Sequence, residues 1–166
     1  MKTFILFSLL FLMFSGVNVG YAQQFTSNQA SEFQLKDQYN KTFALNFPKD
    51  KATVLIFGDR EGAKQIESWV RPLVEKYADK IDIQGVAELS AVPEIAQGVV
   101  RRIMKNQVKY SVMLDWSGAV SKSYGYQKGK ANLFVIDKRG NIVAEVAGAA
   151  SAAELEKIYR EINRVF

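Results

Sequence analysis

Between the apolar run Ala52–Phe57 and an amphipathic stretch that starts near Ile66, the chain concentrates charge. Asp59, Arg60, Glu61 and Lys64 fall inside one short window opened by Gly58. Carboxylates so placed could serve acid–base chemistry or a hard cation, and the arginine and lysine could hold an anion. Asp115 beside Trp116, and Lys130 beside Ala131, add groups of the same kind further along. They carry weight because the usual reagents are missing: the 166 residues include no cysteine and no histidine. That excludes thiolate nucleophiles, disulfides, Cys- or His-ligated metals, Ser-His-Asp triads and imidazole bases. Carboxylates, Lys, Tyr and Ser remain. Nothing in composition or motif implies a cofactor or a metal.

Each candidate also has a plain structural reading. Asp59 and Glu61 suit the start of a helix, where free backbone N–H groups and the dipole favour acids, either as internal caps or beside a bound anion. Asp59 or Glu61 together with Asp115 would form a carboxylate pair, the basis of an enzyme, only if their loops converge. Asp115 and Asp137 otherwise read as turn-initiating residues. Trp69 lies on an apolar helical stripe and reads as core, whereas Trp116 stands in a turn, open to a partner. Tyr124 and Tyr126 read as packing residues.

A buried strand at Ala52–Phe57 must position the window. After it, Ile66, Trp69, Val70, Leu73, Val74 and Tyr77 recur at helical spacing, with Pro72 inside the stripe as an expected kink. Ile81–Leu89 reads as a second buried strand. A helix from Pro93 to about Asn106 is expected to turn Ile95, Val99, Ile103 and Met104 inward. Arg101, Lys105 and Lys109, at steps of four, read as a solvated face. Tyr110–Leu114 is a short strand, and a brief helical stretch runs to Tyr124. Leu133–Ile136 and Ile142–Val146 form a hairpin around Asp137–Asn141. Ser151 and Glu154 open a last helix with a capping box, which buries Leu155, Ile158, Tyr159 and Ile162. Phe33–Leu35 and Thr42–Leu45 make an earlier hairpin. Strands joined through helices imply parallel neighbours, and the late hairpin adds antiparallel ones. The result is a three-layer α/β sandwich with a mixed sheet.

Met1–Ala22 carries the pattern of a secretory leader: Lys2, an apolar run Phe4–Phe14 and a small-residue end, with cleavage expected after Ala22. The run is shorter than the roughly 20 residues a spanning helix needs, so no permanent membrane anchor is expected. Residues 23–31 read as a loose lead-in and 32–166 as one domain. Lys2 is the only charge in the leader, so the excess of basic residues, 22 Lys+Arg against 17 Asp+Glu, survives its removal. A bacterial periplasm is the expected location, which puts nucleic acid out of reach.

The order and wording of these segments resemble the thioredoxin-like fold, in its redoxin branch of AhpC/TSA and TlpA-like proteins. The matching stretches are Phe33–Thr42, Thr53–Phe57, Tyr110–Gly125 and Leu133–Ile142, the last two being the most specific. Without cysteine and with a leader, the chain is most similar to YtfJ-like exported proteins. The resemblance implies a thioredoxin-like α/β/α sandwich with an N-terminal β-hairpin. It also implies a redox pair in Gly58–Glu67, near Gly62 and Gln65 or near Lys64 and Glu67, and a cis-proline where Ala131 stands. Neither survives. An oxidoreductase or antioxidant role is what fold alone would suggest, but the family's thiol mechanism is unavailable to this chain. The expectation is therefore a non-catalytic binding protein of the cell envelope. Its rim would comprise Asp59, Arg60, Glu61, Gly62, Lys64, Trp116, Lys130 and Ala131, and its ligand would be a protein partner or a small anion.

Overall fold

The computed structural model describes residues 28–165; the expected leader, its cleavage point and the first part of the lead-in lie outside them. Strands β1 (Phe33–Lys36) and β2 (Thr42–Leu45) pair antiparallel as a hairpin. The main sheet contains β3 (Thr53–Gly58), β4 (Asp82–Glu88), β5 (Val112–Asp115), β6 (Asn132–Ile136) and β7 (Ile142–Ala147), in the order β5-β4-β3-β6-β7. β3 is buried at every position, as its continuous β-branched and aromatic run requires for a central strand. It runs parallel to β4 and antiparallel to β6. β4 and β5 are parallel, and β6 and β7 antiparallel. The sheet is mixed, as expected.

Helices α1 (Ala63–Tyr77) and α4 (Ala152–Arg164) cover one face. Trp69, Leu73, Tyr77, Ile158 and Ile162 pack there against Val54, Ile56, Leu133 and Val135. Pro72 removes one backbone donor yet does not end α1, whose buried stripe continues past it to Tyr77. α4 opens with the expected capping box between Ser151 and Glu154. The other face is covered by the hairpin and by α3 (Ala119–Ser123): Leu55, Phe57, Val86, Phe134 and Ile136 meet Leu45, Tyr124, Phe33, Leu35 and Phe43.

Two expectations are corrected. Helix α2 (Glu94–Gln107) buries none of its residues. Ile95 is 95% exposed, Val99 48% and Ile103 45%, so three of the four residues expected to face inward face out, while Met104 is half-buried. The reason lies in α2's other side: the half-buried Arg101 hydrogen-bonds Asn40 of the hairpin turn and lies over the Trp116 ring. Those contacts set the helix's rotation and take Arg101 out of the expected solvated face. The lead-in, in its described part, is not loose. Ala30 is buried, its N–H donates to Gly140, and Gln29 bridges to Asn141 in the β6–β7 turn.

Candidate functional site

Strands β3, β4 and β5 end at the same edge of the sheet, and the charged window begins where β3 stops. Asp59 follows Gly58 directly. One of its carboxylate oxygens accepts from the N–H groups of Glu61 (3.0 Å) and Gly62 (2.8 Å), and the other from the N–H of Gly129 (2.8 Å), seventy residues away. Its backbone N–H donates to the Tyr126 hydroxyl at 2.9 Å. Partial burial by itself would raise the Asp59 carboxyl. The N–H groups of Gly62 and Gly129, the Tyr126 hydroxyl and the Glu61 N–H outweigh it and hold the group below the ordinary carboxylate value. Burial pushes the Tyr126 hydroxyl up to about 12, so it is protonated at neutral pH.

Gly62 and Gln65 join the same loop from the start of α1. The Gln65 amide spans Lys130, donating to the Gly129 carbonyl and accepting from the Ala131 N–H, both at 3.1 Å. Gly62 is buried at the N-terminal boundary of α1, and a Cβ on it would overlap the Lys130 carbonyl. No side chain of any kind can occupy that point without moving the backbone. Behind the loop, Asn132 accepts from Gln127 N–H and donates to the Gln127 and Lys130 carbonyls, which fixes residues 127–130.

The first N–H groups of the helix are consequently all engaged. Ala63 donates to the Asp59 carbonyl, Lys64 to that of Glu61 and Gln65 to that of Gly62, while Asp59 takes the two before them. An arriving anion finds no free backbone donor there. Arg60, Glu61, Lys64 and Lys130 are exposed, with Lys64 paired to Glu61 at 2.6 Å and Lys130 to Gln127. A shallow depression of about 280 Å³ beside Lys130 is lined by Gln127, Asn132 and Glu145, so its one cation faces one carboxylate.

The expected rim residues do not all meet. Asp59, Gly62, Lys130 and Ala131 converge, with Arg60, Glu61 and Lys64 around them. Trp116 is elsewhere, half-buried at the end of β5 beneath α2. Asp115 is fully buried and saturated by Ser117 and by the N–H and hydroxyl of Ser121. β4 stands between β5 and β3, which separates Asp115 from Asp59 by about two strand spacings, ~10 Å. Glu88, in register with Asp115 on β4, lies between them and accepts from Ser90 N–H. Among the described residues no three acidic side chains come together to hold a metal. Tyr126, Gly129 and Asn132 complete the loop network without having signalled it, together with Gln65, named only as a place for the lost pair. Gln65, Tyr126 and Gly129 acquire these roles from partners far along the chain, Asn132 from Gln127 and Lys130 nearby.

No curated protein matches the chain. Solved structures do. A pneumococcal exposed lipoprotein thioredoxin, Etrx1 of Streptococcus pneumoniae, is 20% identical, with a TM-score of 0.64 over 81% of this chain and 99% of that one. The putative thiol:disulfide interchange protein DsbE of Chlorobium tepidum is 21% identical, with a TM-score of 0.61 over 82% and 94%. The peroxidoxin BcpB of Mycobacterium tuberculosis is 18% identical, with a TM-score of 0.59 over 83% and 96%. At such identities these likenesses establish the thioredoxin-like fold and nothing finer. The AhpC/TSA family model matches residues 26–145, most of the chain, and the protein is accordingly a cysteine-free member of the AhpC/TSA family.

Proposed function

We propose that this chain is an exported, redox-inactive redoxin domain that works by binding a protein partner through the rim around Arg60, Glu61, Lys64 and Lys130. The observation that carries the reading is the closure of the strand-to-helix loop. Gly62 leaves no room for a side chain against Lys130, and Asp59 and Gln65 occupy the backbone groups of the facing loop. A thiol mechanism needs a nucleophile at a helix N-terminus, and this chain has no sulfur nucleophile to put there. The engaged N–H groups favour a partner recognised by side chains over a small anion. Carboxylate catalysis gains no support, since Asp59 and Asp115 are each committed to internal donors. Export is supported by the N-terminal apolar tract and by the name of the pneumococcal neighbour, an exposed lipoprotein. Among the described residues no helix is long and apolar enough to cross a membrane.

Insulin reduction and peroxide consumption by the purified chain test the catalytic half; turnover above a no-protein control overturns it. A photo-crosslinking residue at position 130 is expected to capture one discrete envelope protein, while the same probe at position 75 on α1 does not. Equal capture at both positions, or none, removes the rim from consideration.

A further inference from the structure

Six large apolar or aromatic side chains are strongly exposed among the described residues, and five of them gather around α2. Ile95, Val99 and Ile103 stand at i, i+4 and i+8 and form one outward ridge. Tyr110, 69% exposed, follows the end of α2, and Tyr39, 49% exposed, lies beneath Lys105. The two tyrosines belong to one patch, because Gln38 donates to the Tyr110 carbonyl and accepts from Val112 N–H. Arg102, Lys105 and Lys109 are exposed along the same segment, against the single acid Glu94 at the opposite end of the helix.

The ridge is not an accident of a loosely placed helix. Arg101 is turned under α2 onto Asn40 and Trp116, and that contact holds the aliphatic stripe outward. Gly98, also exposed, has nothing within 4 Å of where a side chain would stand. The surface is thus a convex aliphatic ridge with tyrosines at one end and arginine and lysine along its flank.

We infer that the α2 face docks on an anionic lipid surface. Aliphatic side chains at helical spacing, flanking tyrosines and a basic polar margin are the chemistry of a helix lying in the headgroup region, with long basic side chains reaching to the phosphates. The charge of the surface argues for lipid over protein: Arg102, Lys105 and Lys109 are exposed beside the aliphatic ridge and Glu94 is the only acid on the helix, which complements a phosphate-bearing surface. A bilayer needs no complementary pocket and responds to a few inserted aliphatics and the adjacent charge. The contact is peripheral and reversible, consistent with the absence of a spanning helix among the described residues. It uses a different surface from the rim around Lys130, so the two proposals stand or fall separately.

Among the described residues the buried core runs from Ala30 to Ile162, and the assay uses the chain from Gln23 onward, the expected mature form, which lacks the apolar tract Phe4–Phe14. The absence of cysteine lets Ile95→Cys carry a single environment-sensitive fluorophore. With vesicles of phosphatidylcholine containing one-third phosphatidylglycerol, the label is expected to brighten and shift to the blue. The same label at Glu75→Cys, on α1, should remain unchanged. Arg102→Glu with Lys105→Glu is expected to weaken co-sedimentation at least about tenfold. The triple change Ile95→Ser, Val99→Ser, Ile103→Ser should abolish it while the circular dichroism spectrum stays the same. Equal binding to pure phosphatidylcholine, or sedimentation without a response at position 95, overturns the inference. So does a response that follows protein concentration with no vesicles present, which would identify a second copy of the chain as the occupant.

Discussion

Helix α1 places Trp69, Leu73 and Tyr77 under the sheet with 0, 0 and 3% of their surface exposed, whereas α2, one residue shorter, leaves Ile95 95% exposed and buries nothing. Both connect parallel strands of the same sheet, and both carry apolar residues at helical spacing. The difference lies in how each is held. α1 is tied at its N-terminal end by Asp59, Gly62 and Gln65 to the loop before β6, and Trp69 Nε1 donates to the Gly148 carbonyl at 2.8 Å. α2 is held by Arg101 on Asn40 and Trp116, by Lys105 over Tyr39 and by half-buried Val100 and Met104, on faces that its Ile95–Val99–Ile103 stripe does not occupy. Amphipathicity states which residues share a face; the neighbouring elements decide whether anything covers it.

Truncating one apolar side chain on each helix should give very different losses. Trp69→Ala is expected to cost about 3–5 kcal/mol in urea unfolding, through lost burial and the cavity left behind. Ile95→Ala should stay within about 0.5 kcal/mol, as surface changes do. Similar losses at the two sites would refute the contrast.

Replacing one glycine on each helix should shift stability in opposite directions. Gly62→Ala drives a Cβ into the Lys130 carbonyl and is expected to destabilise by about 1–3 kcal/mol, as forced overpacking does. Gly98→Ala, in open space on α2, is expected to stabilise by about 1 kcal/mol from helix propensity alone. Thermal melts of the two variants should move in opposite directions.

A third test uses pH. The Asp59 carboxyl is lowered in the folded chain, so the stability it contributes is present above the unfolded value of about 3.9. That contribution disappears as pH falls through the lower folded value. Asp59→Asn keeps one acceptor and is expected to cost about 2 kcal/mol at neutral pH, the scale of hydrogen bonds to a charged group. It should also flatten the loss of stability below pH ~4. A variant that retains the full acid dependence would show that the loop is not held by this carboxylate.

A small effect is expected at Arg101→Ala, less than about 1 kcal/mol in global stability. Hydrogen exchange should nevertheless quicken across α2 and remain unchanged in α1. Uniform exchange in both helices would remove Arg101 as the anchor of α2.

Much of this molecule was legible before its structure. The β-branched run at Thr53–Phe57, the Trp69–Leu73–Tyr77 stripe, the Ser151–Glu154 capping box and the hairpin around Asp137 are local patterns, and local patterns survive folding. Asp137 also proved to be a turn residue, accepting from the N–H groups of Arg139 and Asn141. The loop network was only half legible. The charged window pointed to Asp59, but its partners Tyr126 and Gly129 lie about seventy residues on and carry no charge signature. The outward turn of α2 was not legible at all: its stripe reads like that of α1, and the contact that rotates it joins Arg101 to Asn40, sixty-one residues apart.

By itself, then, the sequence determined the absence of thiol and imidazole chemistry, the alternation of strands and helices, and the position of the charged window between a buried strand and a helix. These follow from composition and from periodicities that depend only on near neighbours. Only the tertiary structure decided that Gly62 meets the Lys130 carbonyl, that Asp59 and Gln65 close the loop onto itself, and that α2 shows its aliphatic residues to the outside. Those outcomes depend on which distant backbone and side-chain groups arrive at the same point. A buried hydrogen-bonding group takes whatever partner the packing brings within reach.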